Sequence, residues 1–191
     1  MVARQLIDPR QPRRCGSAQK RGPENEPADH ALGRCVGGFG SKLHLLVDGN
    51  GVPLSALLLP GQAHESTQFE VLVDSVQVQR AKGRPRSRPR RIGADKAYHA
   101  QRIRHFLRGH GIGAVIPPRK GRGKRRVGRP ISYDQQRYRG RNVVERCIGW
   151  LKECRSLATR FEKLAVHFLG MVHLAIIERY LRLLTRQPTV T

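Results

Sequence analysis

Apolar residues fall in short runs divided by proline and glycine, and the period of the runs changes along the chain. Residues 1–8 read as the start of a strand, with Leu6 and Ile7 leading to Asp8. Pro9, Pro12, Pro23 and Pro27 then turn the chain into a loop, because proline donates no ladder hydrogen bond and clashes inside a helix. From Gly37 the texture is different. Lys42 to Asp48 suits one strand and Val52 to Leu59 a second, with Gly49-Asn50-Gly51 between them, which predicts a β-hairpin. Pro60-Gly61 ends it. Phe69, Leu72, Val73 and Val76 recur at helical spacing behind Ser66, the expected N-cap. Ile92-Gly93-Ala94-Asp95 is a short buried-strand pattern, Ala100 to Arg108 a helix closed by Gly109, and Ala114-Val115-Ile116 another strand. Two helices are expected at the end, over about 135–160 and 164–184.

The first of these two helices carries a second pattern. Tyr138, Arg141, Glu145 and Lys152 stand at offsets that, at about 100° per residue, fall within an arc of roughly 60°. Val144, Cys147, Ile148 and Leu151 occupy the neighbouring arc, so an apolar stripe would face the core with a polar row along its flank. An exposed salt-bridging row, with Arg141 and Glu145 as an i,i+4 pair, explains that spacing equally well.

Charge narrows the reading. The 191 residues include 37 Lys and Arg against 14 Asp and Glu, a formal net charge of +23, while 38% are hydrophobic and 5% aromatic. Such an excess points to a polyanionic partner, nucleic acid above all. The basic loops 80–91 and 119–130 can follow a DNA backbone or be solvated charge. Cys15, Cys35, Cys147 and Cys154 make no CxxC pair, and ordinary reduced thiols are expected. The 164–184 segment is broken by His167, His173, Glu178, Arg179 and Arg182, which predicts an amphipathic core helix rather than a membrane span. No membrane association is expected, and the cytoplasm is the expected compartment. The scattered histidines and the single Trp150 are assigned no chemistry.

Asp95 adds candidate chemistry. It follows a short apolar run and so falls at the carboxyl end of a strand, where open α/β folds place their ligand sites. A carboxylate there and one on a packed helix can share divalent ions, since Mg²⁺ takes hard oxygen ligands and keeps waters that phosphates displace. Two such ions about 4 Å apart support in-line phosphoryl displacement.

The spacing Tyr138-x2-Arg141-x3-Glu145-x6-Lys152 resembles the Y-R-E-K signature of bacterial insertion-sequence DDE transposases. Gly22 to Arg34, Lys42 to Leu45, Pro60 to Ser66, Ala94-Asp95-Lys96-Ala97-Tyr98 and Arg160 to Leu164 resemble the same family, in the same order. The resemblance runs from about Gly22 to Leu184. It implies an α/β, RNase H-like fold with a mixed sheet flanked by helices. It also implies Asp95 and Glu145 as two catalytic, metal-binding carboxylates for Mg²⁺ or Mn²⁺, with Tyr138, Arg141 and Lys152 contacting DNA. The partners implied are insertion-element ends and target DNA, with a homodimer in the synaptic complex by analogy and the nucleoid as the location when DNA-bound.

Two departures accompany the resemblance. The family's first aspartate lies on a central strand ahead of the hairpin. Asp8 is the candidate here, but Pro9 and Pro12 interrupt the strand that should follow. The N-terminal DNA-recognition region of full-length relatives is also not recognisable. The expected organisation is an N-terminal remnant and loop (1–36), a catalytic domain (37–185) with an incomplete first strand, and a tail (186–191). Strand cleavage and transfer is the expected activity, with a catalytically dead, basic DNA-binding remnant of a decayed element as the alternative.

Overall fold

The computed structural model describes residues 30–35, 38–118 and 133–185. The Leu6–Asp8 strand, the 9–27 loop, most of the 22–34 motif, Cys15, the 119–130 loop and the 186–191 tail lie wholly or mainly outside the described residues.

The chain is α/β. Strand β1 (Gly33–Cys35) is followed by β2 (Gly38–Val47) and β3 (Pro53–Pro60). A short 3-10 turn, Glu65–Gln68, runs into α1 (Phe69–Asp74). Next come β4 (Arg91–Gly93), a 3-10 turn Lys96–Tyr98, α2 (Gln101–Gly109) and β5 (Gly113–Val115). Four helices follow: α3 (Gln135–Arg139), α4 (Asn142–Glu153), α5 (Arg155–Thr159) and α6 (Ala165–Thr185). Among the described residues β1, β2 and β3 form one sheet, with β1 antiparallel to β2, and β4 pairs with β5 in parallel as a separate two-stranded sheet. Both pairing modes expected of a mixed sheet are present, but in two sheets. The segment expected to hold the central strand, Leu6–Asp8, is outside the described residues.

Contacts gather into two units. Within the described residues the first comprises 44–55, 64–118 and 133–147, and the second 30–35, 38–43, 56–63 and 148–185. In the first unit the hairpin tip turns on Asp48, whose Oδ1 accepts from the N–H groups of Asn50 and Val52 at 2.8 Å each. Gly51 sits at φ +88°, the left-handed region where a side chain is strained. The core holds Phe69, Leu72, Ile92, Ile103, Leu107 and Ile116, all essentially without exposure. The helix after the hairpin starts differently from expectation. His64, not Ser66, is the N-cap, its ring accepting from the Ser66 N–H, and the first turn is 3-10.

In the second unit Gly61 has no room for a side chain, since a Cβ would stand 2.5 Å from the Gly33 carbonyl oxygen and 2.9 Å from that of Gly40. Arg160, at the end of α5, adopts a left-handed conformation with φ 36°. Its guanidinium donates to the carbonyls of His30, Ala31, Glu162 and Lys163 and to the Ser41 hydroxyl, and it lies 5.0 Å from the Phe168 ring centroid. Left-handed backbone costs a non-glycine residue about 1–2 kcal/mol. Hydrogen bonds from a charged donor, at about 1.5–3 kcal/mol each, outweigh that cost.

Helix α6 matches its expected span but buries only one face, through Phe168, Val172, Ala175 and Ile176. Val166, Leu174, Ile177, Leu181 and Leu184, on the opposite side by helical spacing, are exposed. Among the described residues no helix is long and apolar enough to cross a membrane. The single helix expected over 135–160 is instead three helices, α3, α4 and α5, interrupted at Gly140–Arg141 and at Cys154. Trp150 packs under the Arg179 guanidinium, 4.9 Å from its ring centroid. Cys147 is buried and Cys154 half-buried.

Candidate active site

Asp95 leaves the parallel β4–β5 pair through Ala94, which is fully buried and hydrogen-bonded to the Val115 carbonyl. Burial of Ile92 and Ala94 fixes the strand end, and Asp95 follows Ala94 directly. Its Oδ1 accepts from the Lys96 N–H at 2.6 Å and caps the 3-10 turn Lys96–Tyr98. That turn is anchored from below by Tyr98. The Tyr98 hydroxyl meets His44 Nδ1 of β2 at 3.0 Å, both residues being buried, and its ring lies against Phe69. Burial first, then the carboxylates of Glu65 and Asp95, raises the Tyr98 phenol far above its ordinary range.

The opposing side comes from α3 and the start of α4. Asp134 caps α3 by accepting from the Arg137 N–H. The chain then tightens where a single helix was expected. Gly140, Arg141, Val143 and Val144 each donate to the carbonyl three residues back, giving a stretch of 3-10 winding. In such winding residues i and i+3 eclipse, which stacks Arg141 directly over Tyr138. The Arg141 guanidinium lies 5.5 Å from the Tyr138 ring centroid, and Tyr133 packs edge-on against the same ring.

Arg141 joins the two carboxylates. Its Nη2 is 2.8 Å from Glu145 Oε1 and its Nη1 4.0 Å from Asp95 Oδ2, so one guanidinium spans the pair. Tyr138 adds a long contact, its hydroxyl 3.5 Å from Asp95 Oδ1. Burial raises the Tyr138 phenol, Arg141 lowers it, and Asp95 raises it again, for a net upward displacement. The carboxylates remain accessible, with side-chain exposures of 51% for Asp95 and 38% for Glu145 against 24% for Arg141. Asp95, Tyr138, Arg141 and Glu145 therefore converge. Lys152, seven residues beyond Glu145 on α4, is exposed. Asp8 is outside the described residues.

The donor set suits a hard divalent cation. Two accessible carboxylates already converge on one cationic group, and Mg²⁺ is commonly held by one or two carboxylates with waters and substrate phosphates completing its shell. Among the described residues no cluster of three or more His, Cys, Asp and Glu side chains is assembled.

Residues 10–177 match the family described as Transposase DDE domain. The chain belongs to the DDE transposase family. It is 37% identical over 127 residues to a transposase for insertion sequence element IS402 of Burkholderia cepacia, an alignment covering 66% of this chain and 56% of that protein. It thus spans little more than half the length of that relative. It is also 30% identical over 142 residues to a transposase for insertion sequence element IS6501 of Brucella ovis, covering 74% of this chain and 98% of that protein. No solved structure matches it significantly. Membership of a bacterial insertion-sequence transposase family thus agrees with the resemblance carried by the sequence motifs.

Two residues of this DDE transposase had no assigned role in the sequence. His44 and Tyr98 tie the Asp95 turn to the hairpin. The available signal was Tyr98 itself, a polar aromatic three residues after the candidate carboxylate and in phase with a buried turn. Arg160 was visible only as part of a motif, because its acceptors are backbone groups.

Proposed function

We propose that residues 37–185 form the RNase H-like catalytic domain of a DNA transposase, which cleaves and joins strands by phosphoryl transfer at Asp95 and Glu145. The observation that carries this reading is the convergence of Asp95 and Glu145, from separate elements, on the single guanidinium of Arg141. Bound Mg²⁺ or Mn²⁺ supplies activation of a water or 3′-hydroxyl and stabilisation of the leaving oxygen. Asp95 and Glu145 would hold the cation. Tyr138 offers a ring to an unstacked base, and Arg141 and Lys152 offer charge to phosphates beside the cleaved bond. Asp8 is the candidate third carboxylate. The DNA partners in this reading are element ends and target, brought together by a homodimer.

The test is cleavage of insertion-element-end DNA with Mg²⁺ or Mn²⁺. Nicking by the parent chain that is lost in Asp95→Asn and in Glu145→Gln is the expected result. Nicking that persists in both variants overturns the site assignment. Pro9 and Pro12, within four residues after Asp8, favour a second reading, an inactive DNA-binding remnant. DNA binding without any nicking would support that second reading, and loss of nicking in Asp8→Ala would exclude it.

A further inference from the structure

We propose that Arg141 is a built-in counter-cation, which neutralises the Asp95–Glu145 pair before metal arrives, competes with the divalent ion for it, and is displaced when the ion binds. This inference rests on the metal-site reading above and concerns the state of the site without metal or DNA.

Three observations carry it. First, the guanidinium reaches both carboxylates with different nitrogens, 2.8 Å to Glu145 and 4.0 Å to Asp95, so it stands between the groups a bridging cation would join. Arginine cannot lose its proton in a protein, so this charge is permanent. Second, the hold is weak enough to exchange. Both carboxylates are more than a third exposed, and ion pairs of that kind are screened and individually small. Third, Arg141 has another place to rest. The Tyr138 ring lies 5.5 Å away, stacked by the 3-10 winding between the two residues, and a cation can stay over that face after leaving the carboxylates. From there the freed guanidinium, a planar fork suited to phosphate, becomes available to DNA only when the carboxylates are occupied. Metal loading and phosphate recognition are thereby coupled through one side chain.

The experiment is Mn²⁺ binding to the full chain without DNA, by electron paramagnetic resonance of the free ion, at fixed ionic strength. Compared are the parent, Arg141→Gln, Arg141→Lys, Asp95→Asn and Glu145→Gln. Removing a competing cation should tighten Mn²⁺ about five- to tenfold in Arg141→Gln, corresponding to one or two screened ion pairs. Arg141→Lys keeps the charge without the fork and should fall between Arg141→Gln and the parent. This second variant also reports if the glutamine variant fails to fold. Equal or weaker Mn²⁺ binding in the Arg141 variants, with binding still lost in Asp95→Asn and Glu145→Gln, overturns the counter-cation and leaves the metal site standing. Mn²⁺ binding that ignores Asp95→Asn and Glu145→Gln overturns both.

Discussion

Arg160 and Arg141 use the same side chain in opposite ways. Arg160 points its donors at neutral, fixed acceptors, four main-chain carbonyls and a serine hydroxyl, and stacks on Phe168. Arg141 points its donors at two accessible carboxylates that carry their own charge. Carbonyls cannot be offered a better cation by the solvent, whereas carboxylates can. Arg160 therefore holds backbone in place, and Arg141 holds a charge balance that another ion can take over. Both residues lie in segments that resemble the transposase family, so the motif by itself does not separate structural from chemical roles.

Arg160→Ala should destabilise the fold by about 3 kcal/mol, because several buried or half-buried acceptors lose a charged donor at once. Urea unfolding followed by circular dichroism measures this. Arg160→Lys should recover less than half, since an ammonium cannot reach carbonyls on both sides of the turn as a planar fork does. A loss below about 1 kcal/mol in Arg160→Ala would mean that water replaces the guanidinium, and the contrast with Arg141 would collapse.

A second prediction concerns the turn beneath Asp95. Tyr98→Phe deprives His44 Nδ1 of a buried partner and should cost about 1–2 kcal/mol. Its pH dependence has a defined sign. The folded-state phenol is raised mainly by burial, above the roughly 10 of an unfolded tyrosine. The tyrosine's contribution is therefore complete below about pH 10 and is lost as pH rises beyond it. Parent and Tyr98→Phe should differ by a constant amount from pH 6 to 9 and converge above that. A gap that stays constant to pH 11 would show that the phenol ionises freely in the folded chain.

How much of this was legible follows from how local each signal is. The hairpin was readable because Asp48, Gly49 and Gly51 carry turn chemistry within the turn itself, and alternation marks the strands. Asp95 was readable because a short apolar run can only end in one place. Of the four residues expected in one polar row, Tyr138, Arg141, Glu145 and Lys152, the first three are in contact in sequence, and 3-10 winding rather than a continuous helix stacks Arg141 on Tyr138. Whether Gly140 and Arg141 bond three or four residues back is a choice between close alternatives, decided by packing rather than by propensity. Arg160 was opaque for a different reason. A left-handed helix end is normally signalled by glycine, and its acceptors around His30 and Ala31 are remote in sequence and belong to the backbone. The last segment is expected to be an amphipathic core helix, yet α6 carries a second apolar face, with Val166, Leu174, Ile177, Leu181 and Leu184, that stays exposed.

The smallest expected effect is the sharpest test of the contrast. A double-mutant cycle on Arg141→Gln and Glu145→Gln should give a coupling of about 0.5 kcal/mol, the size of an i,i+4 pair with an exposed partner. Raising salt to about 0.5 M should reduce it further, because exposed pairs are screened. If the coupling instead approached the Arg160 effect, the guanidinium would be fixed on Glu145. A side chain bound that firmly could not yield its carboxylates to a divalent ion. Low stability cost at Arg141 is thus a condition of its proposed exchange.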